Sequence, residues 1–177
     1  MPTLYILCGI SGSGKTTWAQ EFISSHAEED IRYVSRDEIR FSLLKEDEDY
    51  FTHEREVFNK FASTLAQTLI DGFDVIADAT HLNQFSRKKL TNAIDMQFTD
   101  YQIKYIVFRV PVSECCARNE QREGKAKVDI GVIKGMRRSF KEPSLTEDTR
   151  ATDIVIIGSD NDFSYLIEPY NTDWSEN

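Results

Sequence analysis

Apolar residues along this chain follow two rhythms. Short, nearly continuous apolar runs occupy residues 3–8, 75–77, 103–110 and 154–157. Such runs mark strands buried on both faces. A weaker run, Tyr33-Val34-Ser35, is a fifth candidate. Between the runs the rhythm changes to that of helices. Val57, Phe58, Phe61, Leu65 and Leu69 recur on one helical face, and further helices are predicted to start near Lys15, Arg36, Phe85, Ser113 and Asp129. In the last of these, Ile130, Ile133, Met136 and Phe140 mark the expected core side. Strands alternating with helices predict an α/β fold around a central parallel sheet of about five strands. Residues 45–50 are acidic and aperiodic, which predicts a surface loop. No linker or repeat divides the chain, so one domain is expected over residues 1–170, followed by a flexible acidic tail over 171–177.

The turn between the first strand and the first helix carries the clearest chemistry. From Gly9 to Thr16 it reads G-x-x-x-x-G-K-[ST], the phosphate-cradling loop of nucleotide-binding α/β proteins. Glycine removes the Cβ that would block backbone N–H groups from turning toward an anion. A helix starting near Lys15 aims its positive end at the same place. The loop residues Gly9, Ser11, Gly12, Ser13 and Gly14, with Lys15, Thr16 and Thr17, are therefore expected to bind the triphosphate of ATP. Lys15 would reach the β- and γ-phosphates, and the Thr16 hydroxyl would hold Mg²⁺.

Composition narrows the setting. The 177 residues are 40% hydrophobic and 29% charged, as in ordinary globular domains. Cys8, Cys115 and Cys116 form no C-x-x-C pair and no disulfide framework, which favours a cytoplasmic setting. No apolar run approaches membrane-spanning length, so no membrane partner is expected. The net charge of -9 argues against a protein that coats long nucleic acid. That charge is uneven: residues 109–141 hold nine Arg/Lys against four Asp/Glu, whereas residues 20–56 hold twelve acids against five bases. A basic segment in an acidic chain reads as a local anion site, or in part as a solvated helix face.

In parallel sheets ligands bind beyond the carboxyl ends of the strands, and three segments there carry reactive side chains. Ser35-Arg36-Asp37-Glu38-Ile39-Arg40 opens a helix with a capping-box pattern. Asp37 suits the helix dipole, or serves as general base toward an attacking hydroxyl. Arg40 is either solvated or grips a phosphate on the acceptor. Asp78 ends the third strand, where it caps a turn or supports Mg²⁺ beside Thr16. It is followed by Ala79 rather than a second acid, which tilts the reading from motor ATPase toward phosphotransferase. His81 and the pair Cys115-Cys116 receive no role. Arg118 and Arg122 share a helix face, and Lys125 and Lys127 follow a break at Gly124. Arginines aimed at a transferring phosphoryl group stabilise its spread charge, and a lid over about residues 115–128 would deliver them. Glu114, four residues before Arg118, offers the plainer alternative of an exposed ion pair.

Taken in order, these motifs resemble the polynucleotide 5′-hydroxyl kinase group of P-loop kinases, the phage-type kinase domain in particular. The similarity spans residues 3 to about 140. It rests on GxSGSGKTTWAxEF at 9–22, SRDEIR at 35–40, DATHLN at 78–83, and VFRVP with RNEQREGKAK at 107–127. The resemblance implies an adenylate-kinase-like three-layer sandwich with strand order 2-3-1-4-5 and a small helical lid. It further implies ATP and Mg²⁺ as cofactors and the 5′ end of DNA or RNA as acceptor. Asp37 would be the general base and Arg40 the contact to the acceptor 3′-phosphate. Asp78 and Thr80 would belong to the acceptor and metal side, and Arg118 and Arg122 to the lid, with Arg122 near the moving phosphate. No segment of the size of a phosphatase domain is present, so 3′-phosphatase activity is not expected. Two further readings stay open: a P-loop kinase for a small hydroxyl metabolite or modified pyrimidine, and a nucleotide switch or ATPase without transfer. Oligomeric state is not legible.

Overall fold

The computed structural model describes residues 1–158, so the expected tail over 171–177 lies outside the described residues. Five parallel strands form one sheet: β1 (Thr3–Cys8), β2 (Ile31–Ser35), β3 (Asp74–Asp78), β4 (Gln102–Arg109) and β5 (Ala151–Gly158). Their order is β2-β3-β1-β4-β5, as the resemblance implies. All six residues of β1 are buried. Successive side chains of a strand point to opposite faces, so both faces of this central strand are covered.

The covering elements are α1 (Lys15–Ser25), α2 (Arg36–Leu43), α3 (Glu54–Ile70), α4 (Gln84–Asp95), α5 (Val112–Glu120) and α6 (Ile130–Ser139). Each starts where sequence periodicity places it. Helix α1 lays Trp18 and Phe22 on the sheet with their rings stacked at 4.8 Å, and Trp18 meets Phe108 of β4 edge-on. Helix α3 buries Val57, Phe61, Leu65 and Leu69. Asn83 and Ser86 close a reciprocal capping box at α4, and Asp129 caps α6 by accepting from the amides of Gly131 and Val132.

One expected core position falls outside. Ile130 is exposed, while Ile133 and Phe140 are buried and Met136 packs against the core. Ile130 is the first residue of α6, a turn short of the sheet, so only the later positions of its stripe reach the interior. Residues 45–50 contain neither helix nor strand, as expected. Among the described residues no helix is long and apolar enough to cross a membrane.

The topology does one thing for function. The loop after β1, the start of α2 after β2, the segment after β3 and the start of α5 after β4 all leave the same carboxyl edge of the sheet. The four sequence motifs are thereby gathered along one rim.

Candidate active site

The loop after β1 turns on two glycines with positive φ, Gly12 at 83° and Gly14 at 91°, a region that side chains other than glycine rarely adopt. Space is also short. A Cβ on Gly12 would lie 2.4 Å from the carbonyl oxygen of Cys115, the first sign that α5 rests on the loop. The Gly9 amide donates to the Thr80 carbonyl (3.0 Å), tying the loop to the segment after β3. Ser13 Oγ is buried without a hydrogen-bond partner. Lys15 arches over the loop and its Nζ donates to the carbonyls of Gly9 (3.1 Å) and Ile10 (2.9 Å). Desolvation pulls the Lys15 ammonium below its ordinary pKa; Asp78, Cys115 and Asp37 oppose that pull, and the positive charge of Arg122 reinforces it. Asp78, Asp37 and Arg122 thus all act on Lys15 electrostatically.

Beside the loop, Thr16 Oγ1 donates to Asp78 Oδ2 at 2.7 Å, and the Tyr33 hydroxyl donates to the same oxygen at 2.7 Å. Tyr33, on β2, was not singled out from sequence. Its phenol is pushed well above the usual range by burial and by the charge of Asp78, so it stays a donor. Among the described residues no group of three or more His, Cys, Asp or Glu side chains is placed to hold a metal. A hydroxyl and one carboxylate nevertheless suit Mg²⁺, which keeps several waters and takes phosphate oxygens as its remaining ligands. The glycine cradle, the orphaned Ser13 hydroxyl and this donor pair fit a nucleotide with its cation.

At the start of α2, Ser35 Oγ accepts from the Glu38 amide (3.2 Å), the forward half of the expected capping box. Asp37 is 61% exposed. Its Oδ1 accepts from Arg40 Nη1 and from the Tyr50 hydroxyl, the latter at 2.7 Å. Arg40 is buried, and its guanidinium also pairs with both carboxylate oxygens of Glu54 (3.2 and 3.0 Å) and lies 4.2 Å above the Tyr50 ring. Arg36 Nη2 donates to Glu54 as well. Two arginines and the Glu54 carboxylate are thus interlocked behind Asp37. Sequence reading found Asp37, Arg36 and Arg40 but neither Glu54 nor Tyr50, for no fixed spacing links them to α2.

Helix α5 and the 3-10 turn at Gly124–Ala126 form the segment read as a lid. Arg118 Nη1 donates to the Gly12 carbonyl at 3.4 Å while Nη2 pairs with Glu114. Arg122 Nη1 donates to Ser11 Oγ at 3.1 Å. Both arginines touch the phosphate loop, and the Glu114 pair coexists with that contact. Buried Asn119 clasps the base of the segment through the amide and carbonyl of Val128 (2.9 and 2.7 Å). Lys125 Nζ reaches across to the carbonyls of Lys45 (2.9 Å) and Glu46 (3.3 Å).

His81 sits at φ 40° with Nδ1 2.8 Å from the Leu7 carbonyl. Burial lowers its pKa from 6.5 to about 4, partly offset by that hydrogen bond. Below pH 6.5 the unfolded chain takes up a proton that the folded ring refuses. The stability present above that pH is therefore lost as pH falls toward 4, by about 3 kcal/mol at most. His81→Asn keeps a residue tolerant of positive φ without the titration. Denaturant midpoints measured from pH 7 to 4 should fall less steeply for this variant; parallel curves would show that His81 is not the titrating group.

Comparison with known proteins bears on the family and the fold. Residues 4–143 match the family AAA_33, described as an AAA domain. A chain of the Pnkp1/Rnl/Hen1 RNA repair complex is 26% identical with a TM-score of 0.65; the match covers 78% of this chain and 43% of that one. Kti12 of Chaetomium thermophilum, solved with ADP-AlF3, is 14% identical with a TM-score of 0.63, over 94% of this chain and 95% of that one. A sugar kinase from Janibacter sp. HTCC2649 is 14% identical with a TM-score of 0.63, over 89% and 86%. The last two show the fold alone. Together with the loop geometry, these matches make this a P-loop, kinase-like nucleotide-binding domain.

Proposed function

This chain belongs to the AAA_33 family of AAA domains, and on that footing we propose that it is an ATP-dependent kinase acting on the 5′-hydroxyl of a polynucleotide. One observation carries the reading: Asp37 opens α2 at the carboxyl edge of the sheet, on the same rim as the phosphate loop, exposed and held by Arg40 and Tyr50. A carboxylate so placed accepts the proton of a hydroxyl as that oxygen attacks the γ-phosphorus. Lys15 and the loop amides hold the phosphates, and Arg122 with Arg118 draws off the charge that spreads over the transferring group. Mg²⁺ held by Thr16 and Asp78 would neutralise charge on the β- and γ-oxygens. Arg40 and Thr80 face the acceptor in this scheme. Arg40 reaches the acceptor's 3′-phosphate by exchanging a carboxylate partner for a phosphate oxygen. Residues 1–170 act as one domain with its lid at about 115–128. The 26% identical chain comes from an RNA repair complex, which favours a nucleic-acid end over a sugar as acceptor.

The test is transfer of label from γ-labelled ATP to 5′-hydroxyl oligonucleotides, mononucleotides and small alcohols. Label should appear on the oligonucleotides, and affinity for them should weaken as salt rises through lost phosphate contacts. Label on a small alcohol alone would assign the enzyme to metabolite kinases. Hydrolysis without any transfer would make it a nucleotide switch.

A further inference from the structure

A pocket of about 170 Å³ opens between α3 and the start of α4, lined by Arg36, Phe58, Thr80, His81, Asn83 and Phe85 among others. Its place in the chain ties it to the reaction. Arg36 immediately precedes Asp37, and Thr80 lies two residues beyond Asp78 and accepts from the Gly9 amide. Arg36 also shares the Glu54 carboxylate with Arg40, which holds Asp37. The pocket is thus linked to the general base through Arg36 and to the phosphate loop through Thr80.

Its lining describes a ligand. Phe58 and Phe85 provide aromatic surface, and Phe85 is 79% exposed, so the core does not require it. Arg36 lies 5.8 Å over the Phe58 ring, and its Nε is buried with no hydrogen-bond partner. The His81 ring, neutral with its Nδ1 proton directed to the Leu7 carbonyl, has an acceptor at Nε2. Aromatic walls with mixed donors and acceptors suit a flat heterocycle that carries both. Size decides which. An apolar cavity of about 150 Å³ takes a single benzene ring, and at about 170 Å³ this pocket matches one six-membered ring more closely than the fused pair of a purine.

We propose that this pocket receives the six-membered ring of the acceptor's pyrimidine base, so that the enzyme selects its substrate by the nucleoside bearing the attacking hydroxyl. The inference rests on the kinase reading above and adds base selection to it. A polynucleotide end and a free nucleoside both carry this ring, and the assay includes both. Oligonucleotides identical except for a pyrimidine, a purine or an abasic sugar at the 5′ end are compared with a free pyrimidine nucleoside. KM should be about tenfold lower for the pyrimidine end than for the abasic one, the scale of one lost aromatic stack. In Phe85→Ala that ratio should collapse toward one, and Phe85→Tyr should restore it. Equal KM for all three ends, or a ratio unmoved by Phe85→Ala, overturns base selection and leaves the kinase reading standing. Label on the free nucleoside and on no oligonucleotide keeps the ring site and overturns the polynucleotide reading. Label on neither overturns both.

Discussion

Asp37→Asn should lower kcat by about 100- to 10,000-fold, the usual contribution of a positioned general base, while the affinity for ATP stays nearly unchanged. The substitution is close to isosteric, and the side chain is 61% exposed, so the fold has little to lose. An amide oxygen still accepts from Arg40 and from the Tyr50 hydroxyl, the two groups that hold Oδ1. The Tyr50 phenol remains a donor throughout the working pH range, because burial and the nearby Asp37 charge push its pKa far above the usual value. Geometry is therefore preserved and basicity alone is removed. The measurement is single-turnover transfer to a 5′-hydroxyl oligonucleotide alongside equilibrium binding of ATP. Turnover at the wild-type rate would remove Asp37 from the chemistry. Loss of ATP binding would show instead that Asp37 supports the loop around Lys15.

The parts of this site that were legible in the sequence share a physical reason. Phosphate binding demands a backbone shape, and that demand writes glycines at fixed intervals, as at Gly12 and Gly14 with their positive φ. Asp78 was legible because a strand's carboxyl end is a fixed address, and the structure joins it to Thr16. The central strands stood out because burial on both faces leaves few polar positions. Edge strand β2 was weaker in the sequence, since Arg32 is exposed and lies over Phe73 while Tyr33 turns its hydroxyl to Asp78. What stayed hidden depends on side chains meeting across elements. Tyr50 and Glu54 join Arg40 through the packing of α2 on α3, and no local spacing announces it. Arg87 was hidden for a related reason. Beside Lys88 and Lys89 it reads as one more solvated base on a helix, yet it is 1% exposed.

That burial makes Arg87→Met the largest stability change expected among these side chains. Arg87 Nε and Nη2 form a two-pronged pair with Glu147 (2.9 and 2.7 Å), whose side chain is only 11% exposed. Its Nη1 donates to the carbonyls of His81 (3.1 Å) and Lys141 (2.9 Å). One guanidinium thus fastens the segment after β3, which carries Thr80 and His81, to the segment after α6, where the Lys141 amide also donates to the Leu82 carbonyl at 2.7 Å. Removing the cation strands a carboxylate and two carbonyls in a low-dielectric site, a loss of about 3–5 kcal/mol. For a domain of this size that corresponds to a fall in Tm of roughly 10 °C. Calorimetry should find the drop little changed by added salt, because buried pairs are poorly screened. The double variant Arg87→Met/Glu147→Leu should recover much of the loss, since an apolar pair of similar volume often matches a buried ion pair. If the double variant were as unstable as the single one, the carbonyls of His81 and Lys141 would be the main dependants of Arg87, and its role would lie in shaping the rim rather than in neutralising Glu147.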